Sequence, residues 1–188
     1  MGAVAGYRIE GHAIVSADGR IAGADGETPA SLNNEADWLR FQAALDLSAV
    51  VVLGRVSHTA NPNTSRRNRM VVSSSAAGIE RRSDAWWWNP ADTPLAVALQ
   101  SAAPEGGIVA VPGGRLVFDL FLKAGYDAFH LAKVAGAELP DGVPLFSAVG
   151  AGQTPETVLA GAGLTADPAE VLDAVSGVTL VTWRHRRA

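Results

Sequence analysis

The sequence predicts an α/β fold with a mostly parallel central sheet and helices on both faces. Three observations support this prediction. Short apolar runs typical of buried strands alternate with helical stretches, and these runs stop at glycine or polar turn residues. In addition, 48% of the 188 residues are hydrophobic, which is enough to form the core of one domain over residues 1–188.

Six segments have the pattern of strands. Residues 49–53 form a continuous apolar run that stops at Gly54, as in strands buried on both faces. Asp18-Gly19 after the first segment is a turn signal. The six predicted strands are 7–15, 49–53, 70–73, 107–111, 128–134 and 178–185.

Two segments have the pattern of helices. Asn33 or Asn34 can cap a helix that runs to about Leu47, because asparagine is a favoured N-cap residue. Residues 114–124 have apolar positions at helical spacing and end at Gly125, a typical residue just beyond a helix C-terminus.

Composition excludes several classes of protein. The chain has no cysteine, which excludes disulfides, thiolate metal sites and a cysteine nucleophile. The net charge of −4 disfavours nucleic acid and anionic membranes as partners. No apolar run is long enough to span a membrane, and no signal peptide is visible. We therefore expect a cytoplasmic protein.

Arginines and glycines follow the predicted strands, where ligands bind in parallel sheets. Residues 51–82 hold six arginines and one acid. The segment 54–57 begins a helix directly after a strand, serines 73–75 offer hydroxyl groups, and Gly113-Gly114 precedes a helix. Each feature suits a phosphate, although a solvated basic face or a simple turn would give the same pattern. Together they favour a diphosphate with an extra phosphate, as in NADP, without a Rossmann or P-loop motif.

Asp37 is the candidate acid. It shares an apolar stripe with Phe41 and Leu45 on the predicted helix, and burial there would raise its pKa, as a proton donor requires. It also stands three residues after Asn34, so it could equally complete a capping box. The residue pattern alone leaves both interpretations open.

Two other features have less specific interpretations. His12, His58, His130 and His185 lack metal-ligand spacing, so no metal site is predicted, and His12 and His130 are expected in the core or a pocket wall. Trp86-Trp87-Trp88 cannot all enter one core, because successive strand residues point to opposite faces. At least one tryptophan is expected to be exposed, which predicts a homodimer.

The order of these segments resembles the dihydrofolate reductase superfamily, which includes the pyrimidine reductase domain of riboflavin synthesis. The resemblance covers about residues 7–146. The matching segments are Ser16-x-Asp18-Gly19-Arg20-Ile21, Ala36-Asp37-x-x-x-Phe41, Val51-Val52-Leu53-Gly54-Arg55, Val71-Val72-Ser73-Ser74, and Val111-Pro112-Gly113-Gly114 with Phe118 and Leu122.

The resemblance implies a three-layer fold with an antiparallel C-terminal strand. It implies NADPH-dependent hydride transfer to a C=N bond of a pteridine or pyrimidine-type heterocycle, with Asp37 as the acid. The implied cofactor residues are Ala13 and Ile21 at the nicotinamide, Gly54, Arg55, Val56 and Ser57 at phosphates, Ser73 and Ser74 with Arg55 at the 2′-phosphate, and Gly113, Gly114, Arg115 and Leu116 around the diphosphate. The implied substrate residues are Ser16, Phe41, Arg67 and Phe118.

The identity of the heterocycle stays open at this stage. Folate enzymes carry Pro-Trp before the acidic helix, whereas here Thr28-Pro29 is followed by Ala30. The segment that begins at Ser16 is closer to the riboflavin branch, and residues 147–177 have no counterpart. A non-catalytic protein that binds NADP or a heterocycle on the same fold is the alternative.

Overall fold

The computed structural model describes residues 4–185. Twelve strands and six helices form in this range, with a short 3-10 turn at Ala30–Leu32. The strands are β1 (Tyr7–Ser16), β2 (Arg20–Ala22), β3 (Val50–Gly54), β4 (Arg69–Val72), β5 (Ile79–Arg81), β6 (Trp86–Trp88), β7 (Gly107–Gly113), β8 (Ala128–Val134), β9 (Val143–Pro144), β10 (Thr165–Ala166), β11 (Glu170–Asp173) and β12 (Val178–Arg184). The helices are α1 (Glu35–Asp46), α2 (Arg55–Ala60), α3 (Leu95–Ala102), α4 (Arg115–Ala124), α5 (Ser147–Gly150) and α6 (Pro155–Gly161).

Ten of the strands form one sheet in the order β10-β12-β8-β1-β7-β3-β4-β6-β5, with β11 also paired to β12. The six strands from β8 to β6 are mutually parallel. The strands at both edges are antiparallel, including the C-terminal β12 against β8. The mostly parallel sheet, the antiparallel last strand and all six predicted strands are therefore confirmed.

Helices cover both faces of this sheet, as the alternating directions of the side chains along β7 show. Val109 and Val111 belong to the main core, which includes Phe118 and Phe121 of α4. Ala110 points the other way and packs with Leu45 of α1. The sheet is thus the middle layer of three, and the predicted α1 and α4 are confirmed.

The turn between β1 and β2 gives Ser16, Asp18 and Gly19 a structural role. The Ser16 hydroxyl donates to Asp18 Oδ1 at 2.5 Å and accepts the Arg20 N–H at 3.0 Å. Asp18 Oδ1 also accepts the Leu139 N–H. Gly19 has φ +77, which favours glycine. This turn anchors the loop that precedes β9.

Residues 147–177, which have no counterpart in the family resemblance, build α5, α6, β10 and β11. Val149, Val158 and Leu159 of the two helices join the main core. The segment therefore completes the layer beside α4, where it helps to cover the sheet.

The expectation that at least one tryptophan of the run Trp86–Trp88 is exposed is wrong, because two are half-buried and one is buried. Trp86 and Trp88 pack on the main core, and Trp88 is buried. Trp87 points to the opposite face, where the edge of His58 and the guanidinium of Arg82 cover its half-buried ring. The tryptophans therefore provide no exposed patch, and the homodimer stays a prediction without its original reason. Among residues 4–185, no helix has the length and apolar character needed to cross a membrane.

Candidate active site

A cleft of about 1100 Å³ lies over the face of the sheet that α1 covers. It extends from the last residues of β7 and the start of α4 to the loop that precedes β4. This position, beyond strand ends, is where ligands bind in open α/β sheets. The sequence-predicted residues that line it are Ala13, Ile21, Asp37, Phe41, Val56, Ser57, Arg67, Gly113, Gly114, Arg115 and Phe118.

The other predicted site residues lie outside this lining. Ser16 is fully buried in the β1–β2 turn, with its hydroxyl bonded there, so the structure gives it a turn-forming position instead of a substrate contact. Leu116 is 71% exposed on α4. Leu116 is absent from the cleft lining, and its assignment to the diphosphate stays a prediction.

The residues predicted for the 2′-phosphate lie together at neighbouring strand ends. Gly54 at the end of β3 is paired with Val72 at the end of β4, so Arg55 and Ser73 follow adjacent parallel strands. Arg55 and Ser74 are exposed, and the Ser73 hydroxyl contacts only the neighbouring Ser75 within residues 4–185. This group lies beside the cleft and is open to solvent.

The turn between β7 and α4 brings bare backbone to the cleft. Gly113 and Gly114 have φ +145 and +85, conformations that side-chain-bearing residues rarely adopt. Gly114 is the N-cap of α4, whose ten residues begin at Arg115. The first N–H groups of such a helix lack partners within the helix and favour an anion.

Asp37 lies inside the cleft and does not form a capping box. The Asn34 side chain accepts the Asp37 N–H at 3.0 Å, which caps α1. The Asp37 carboxylate, however, accepts a hydrogen bond from Arg40 Nη2 at 3.2 Å instead of returning to Asn34. The residue is 7% exposed. Burial raises its pKa above the ordinary value, and the charge of Arg40 only partly opposes this rise.

Three of the six arginines of the basic segment have ion-pair or hydrogen-bond partners. Arg67 is paired with Asp46 Oδ1 at 2.7 Å, and Arg82 with Glu80 at 2.5 Å. Arg69 is buried and donates to the Asn61 carbonyl at 2.6 Å. Within residues 4–185, Arg55 and Arg115 form no ion pair. Arg66 and Arg81 form no ion pair in this range either, but Arg55 and Arg115 are the two that begin a helix directly after a strand, where an anionic ligand would bind.

The structure adds a cluster that the sequence reasoning missed, formed by Glu10, His12 and His130. The two imidazole rings are stacked with centroids 4.7 Å apart, and His12 lines the cleft. Burial, followed by the charges of His130 and Arg40, lowers the pKa of His12 to about 3. Burial alone would raise the pKa of Glu10, but the hydrogen bond from His130 and the charge of Arg8 lower it.

The sequence carries only part of the signal for this cluster, because the rest depends on which strands pair. Glu10 and His12 are two residues apart and so share a face of β1, and His12 is in register with His130 of β8. The search for short spacings along the chain could not detect ligand atoms that meet across two strands.

Comparisons with known proteins extend this description. No protein-family model matches the sequence, and no curated protein matches it. Many solved structures resemble the fold, including the following three. A pyrimidine reductase-like protein of Corynebacterium diphtheriae has a TM-score of 0.68 at 13% identity, over 97% of this chain and 93% of its own. Dihydrofolate reductase of Enterococcus faecalis, solved with NADP(H), has a TM-score of 0.64 at 15% identity, over 98% and 99%.

The third is a diaminohydroxyphosphoribosylaminopyrimidine deaminase/5-amino-6-(5-phosphoribosylamino)uracil reductase of Thermotoga maritima. Its TM-score is 0.62 at 16% identity, over 96% of this chain but only 57% of the larger protein. These likenesses show that the chain has the dihydrofolate reductase-like fold, as the sequence predicted. At such low identity they show the fold alone.

Proposed function

We propose that this chain is an NADPH-dependent reductase that transfers a hydride to a C=N bond of a pyrimidine- or pteridine-type heterocycle. The observation that supports this most is that one cleft contains both the buried acid Asp37 and the glycine turn at Gly113-Gly114. A proton donor and a phosphate-binding turn are the two elements that such a reduction needs from the protein.

The residues present fit NADP(H). The positive φ values of Gly113 and Gly114 allow a diphosphate to approach the backbone, and Arg115 stands beside them at the start of α4. Arg55 and Ser73 offer a guanidinium and a hydroxyl at adjacent strand ends for a 2′-phosphate, which favours NADPH over NADH. Bound NADPH would supply the hydride.

The chain's own residues would orient the substrate and supply the proton. Ala13 and Ile21 provide an apolar wall of the cleft, and the Phe41 ring lies next to His12 with centroids 6.1 Å apart. Phe118 is a core residue, so it would form the floor. A flat ring held between these surfaces would exclude water from the reacting bond. The raised pKa of Asp37 keeps the protonated acid more available than a surface aspartate would.

One contact favours a pyrimidine substrate over a folate. The resemblance assigned Arg67 to the glutamate tail of folate, but this guanidinium is paired with Asp46 at the end of α1. The negative charge of Asp46 would repel a tail carboxylate at this guanidinium. A substrate without such a tail would leave the pair intact.

The test is an assay of NADPH oxidation by the purified protein, followed by loss of NADPH absorbance. Ribosylaminopyrimidines and dihydropteridines, including dihydrofolate, are supplied in parallel. We expect oxidation with a pyrimidine and weaker activity with dihydrofolate. NADPH binding without oxidation in either class would instead support a non-catalytic binding protein, and the absence of NADPH binding would contradict both functions.

A further inference from the structure

We propose that Glu10, His12 and His130 form a binding site for a divalent transition-metal ion such as zinc. The site lies behind the cleft wall that His12 forms, and it does not depend on the proposed reductase activity. The three residues offer two imidazole nitrogens and one carboxylate oxygen within 4.8 Å of one another. Two histidines and one glutamate are a known donor set for zinc with an open fourth position.

The backbone fixes this arrangement. Glu10 and His12 lie on one face of β1, and the parallel register places His130 of β8 directly beside His12. Both strands are inside the sheet, so the Cβ positions of all three ligands are held by hydrogen-bonded neighbours. A site built on strands in this way is preorganised before an ion arrives.

The distances between the donor atoms suit a tetrahedral ion. Zinc bonds of about 2.0–2.2 Å place tetrahedral ligand atoms about 3.3–3.5 Å apart. His130 Nε2 lies 3.3 Å from Glu10 Oε2, and His12 Nε2 lies 4.0 Å from the same oxygen. To complete the set, the second distance has to shorten by well under about 1 Å, and the two stacked rings have to rotate so that a nitrogen of each points at the same ion.

The hydrogen bonding of His12 independently indicates a ligand. His12 is 2% exposed, and neither of its ring nitrogens has a hydrogen-bond partner within the described residues. Buried polar atoms without partners are rare and call for an explanation such as an ion.

The residues around the cluster have the positions of supporting groups. The second nitrogen of His130, Nδ1, lies 3.2 Å from the Thr182 hydroxyl, as metal-bound histidines usually bond through their other nitrogen. Arg8 pairs with Glu10 Oε1 at 2.6 Å, which leaves Oε2 for the ion. Arg8 and Arg40 place positive charge nearby, which opposes any cation. Because two of the three donors are imidazoles, we expect Zn²⁺ or Co²⁺ and not Mg²⁺.

The test uses untagged, chelator-treated protein titrated with Co²⁺, whose visible spectrum reports tetrahedral coordination, and with Zn²⁺ by calorimetry. We expect one ion per chain. Loss of a supporting contact weakens metal affinity by roughly 10–100-fold. His12→Ala removes a ligand itself, so it should weaken the affinity at least as much. His185→Ala removes an exposed histidine near Gly163 and should leave binding unchanged.

Two further variants keep the test decisive if His12→Ala does not fold. Glu10→Gln retains the shape of the ligand, and Thr182→Val removes only the supporting hydroxyl, so it should weaken binding by roughly 10–100-fold. Circular dichroism confirms that each variant is folded. A wild-type protein that takes up no Co²⁺ saturably, or an affinity that Glu10→Gln and Thr182→Val leave unchanged, would overturn the proposal.

Discussion

The carboxylate of Asp37 and the guanidinium of Arg40 are 3.2 Å apart, one turn along α1, and both residues line the cleft. Burial raises the pKa of Asp37, while Arg40 limits that rise. The pair therefore holds an acid in fixed geometry without leaving a buried charge wholly unpaired. This arrangement can keep a proton donor next to a bound heterocycle, which leads to the first prediction.

Replacing Asp37 with asparagine should remove the proton donor and keep the shape of the cleft. If Asp37 donates the proton, Asp37→Asn should lower turnover by roughly 10²–10⁴-fold, the usual share of general acid catalysis, with NADPH affinity nearly unchanged. Steady-state kinetics and NADPH fluorescence titration measure the two effects. Asp141→Asn, at an exposed acid outside the cleft, is the matched control, and normal turnover in Asp37→Asn would rule out the assigned role.

The pH dependence of turnover should follow the same carboxyl. The acid donates only when protonated, so the rate should fall by about tenfold per pH unit above the Asp37 pKa. That fall should begin at higher pH than for an ordinary aspartate, because the pKa is raised. The slope should be absent in Asp37→Asn, and an identical pH profile in both proteins would assign the titration to another group.

Stability should change with pH in a defined direction at the same residue. An acid whose pKa is raised on folding stabilises the folded state most when the pH is below its pKa in the unfolded chain, 3.8. This stabilisation is lost as the pH rises through the pKa of the folded state. Asp37→Asn should therefore become more stable relative to the wild type between about pH 4 and pH 7. Urea unfolding at both ends of this range measures the difference, and a constant difference would show that the carboxyl is not desolvated.

Selectivity for NADPH should depend on Arg55. Its guanidinium is exposed at the start of α2 and forms no ion pair within residues 4–185, so it is available to a 2′-phosphate. Loss of one charge-assisted contact costs about 1.5–3 kcal/mol. Arg55→Ala should therefore weaken the binding of NADPH by roughly 10–100-fold and change the binding of NADH little. Arg81→Ala makes the same charge change on β5 and should affect neither cofactor. Equal losses for NADPH and NADH in Arg55→Ala would reject this assignment.

The glycine turn offers a test that separates binding from strain. Gly114→Ala places a side chain at φ +85 in the cleft, where it should block the approach of a diphosphate. Gly152→Ala makes the same change at φ +99 with open space around it. Each substitution should lower the free energy of unfolding by about 1–3 kcal/mol, but only Gly114→Ala should also weaken the binding of NADPH. Calorimetric titration of both variants gives the comparison, and equal NADPH affinity would place the diphosphate elsewhere.

The sequence could predict those parts of the structure that local patterns determine. The apolar run before Gly54 and the glycine at 125 correctly indicated β3 and the end of α4. The position of Asp37 on the apolar stripe of α1 predicted its burial in the same way. In each case the residues that determine the feature lie within one helix or strand.

The remaining features depend on which distant segments pair. The cluster of His12 with His130 exists because β1 lies beside β8 in register, and no local pattern indicates that pairing. The tryptophan run was expected to leave an exposed ring, but β5 returns antiparallel along β6 and places Arg81 and Arg82 over Trp86 and Trp87. Arg67, which the resemblance places at the substrate, does line the cleft, and its pairing with Asp46 at the end of α1 is the part that no local pattern indicates.

Transfer of deuterium from NADPH labelled at the transferable position of its nicotinamide tests the central claim most directly. The protein is incubated with this cofactor and a ribosylaminopyrimidine or a dihydropteridine, and the product is analysed by mass spectrometry. Hydride transfer in the cleft predicts a reduced heterocycle that carries one deuterium, with far less product from Asp37→Asn. A cofactor that binds in the cleft but transfers no deuterium to either class of heterocycle would contradict the assignment as a reductase.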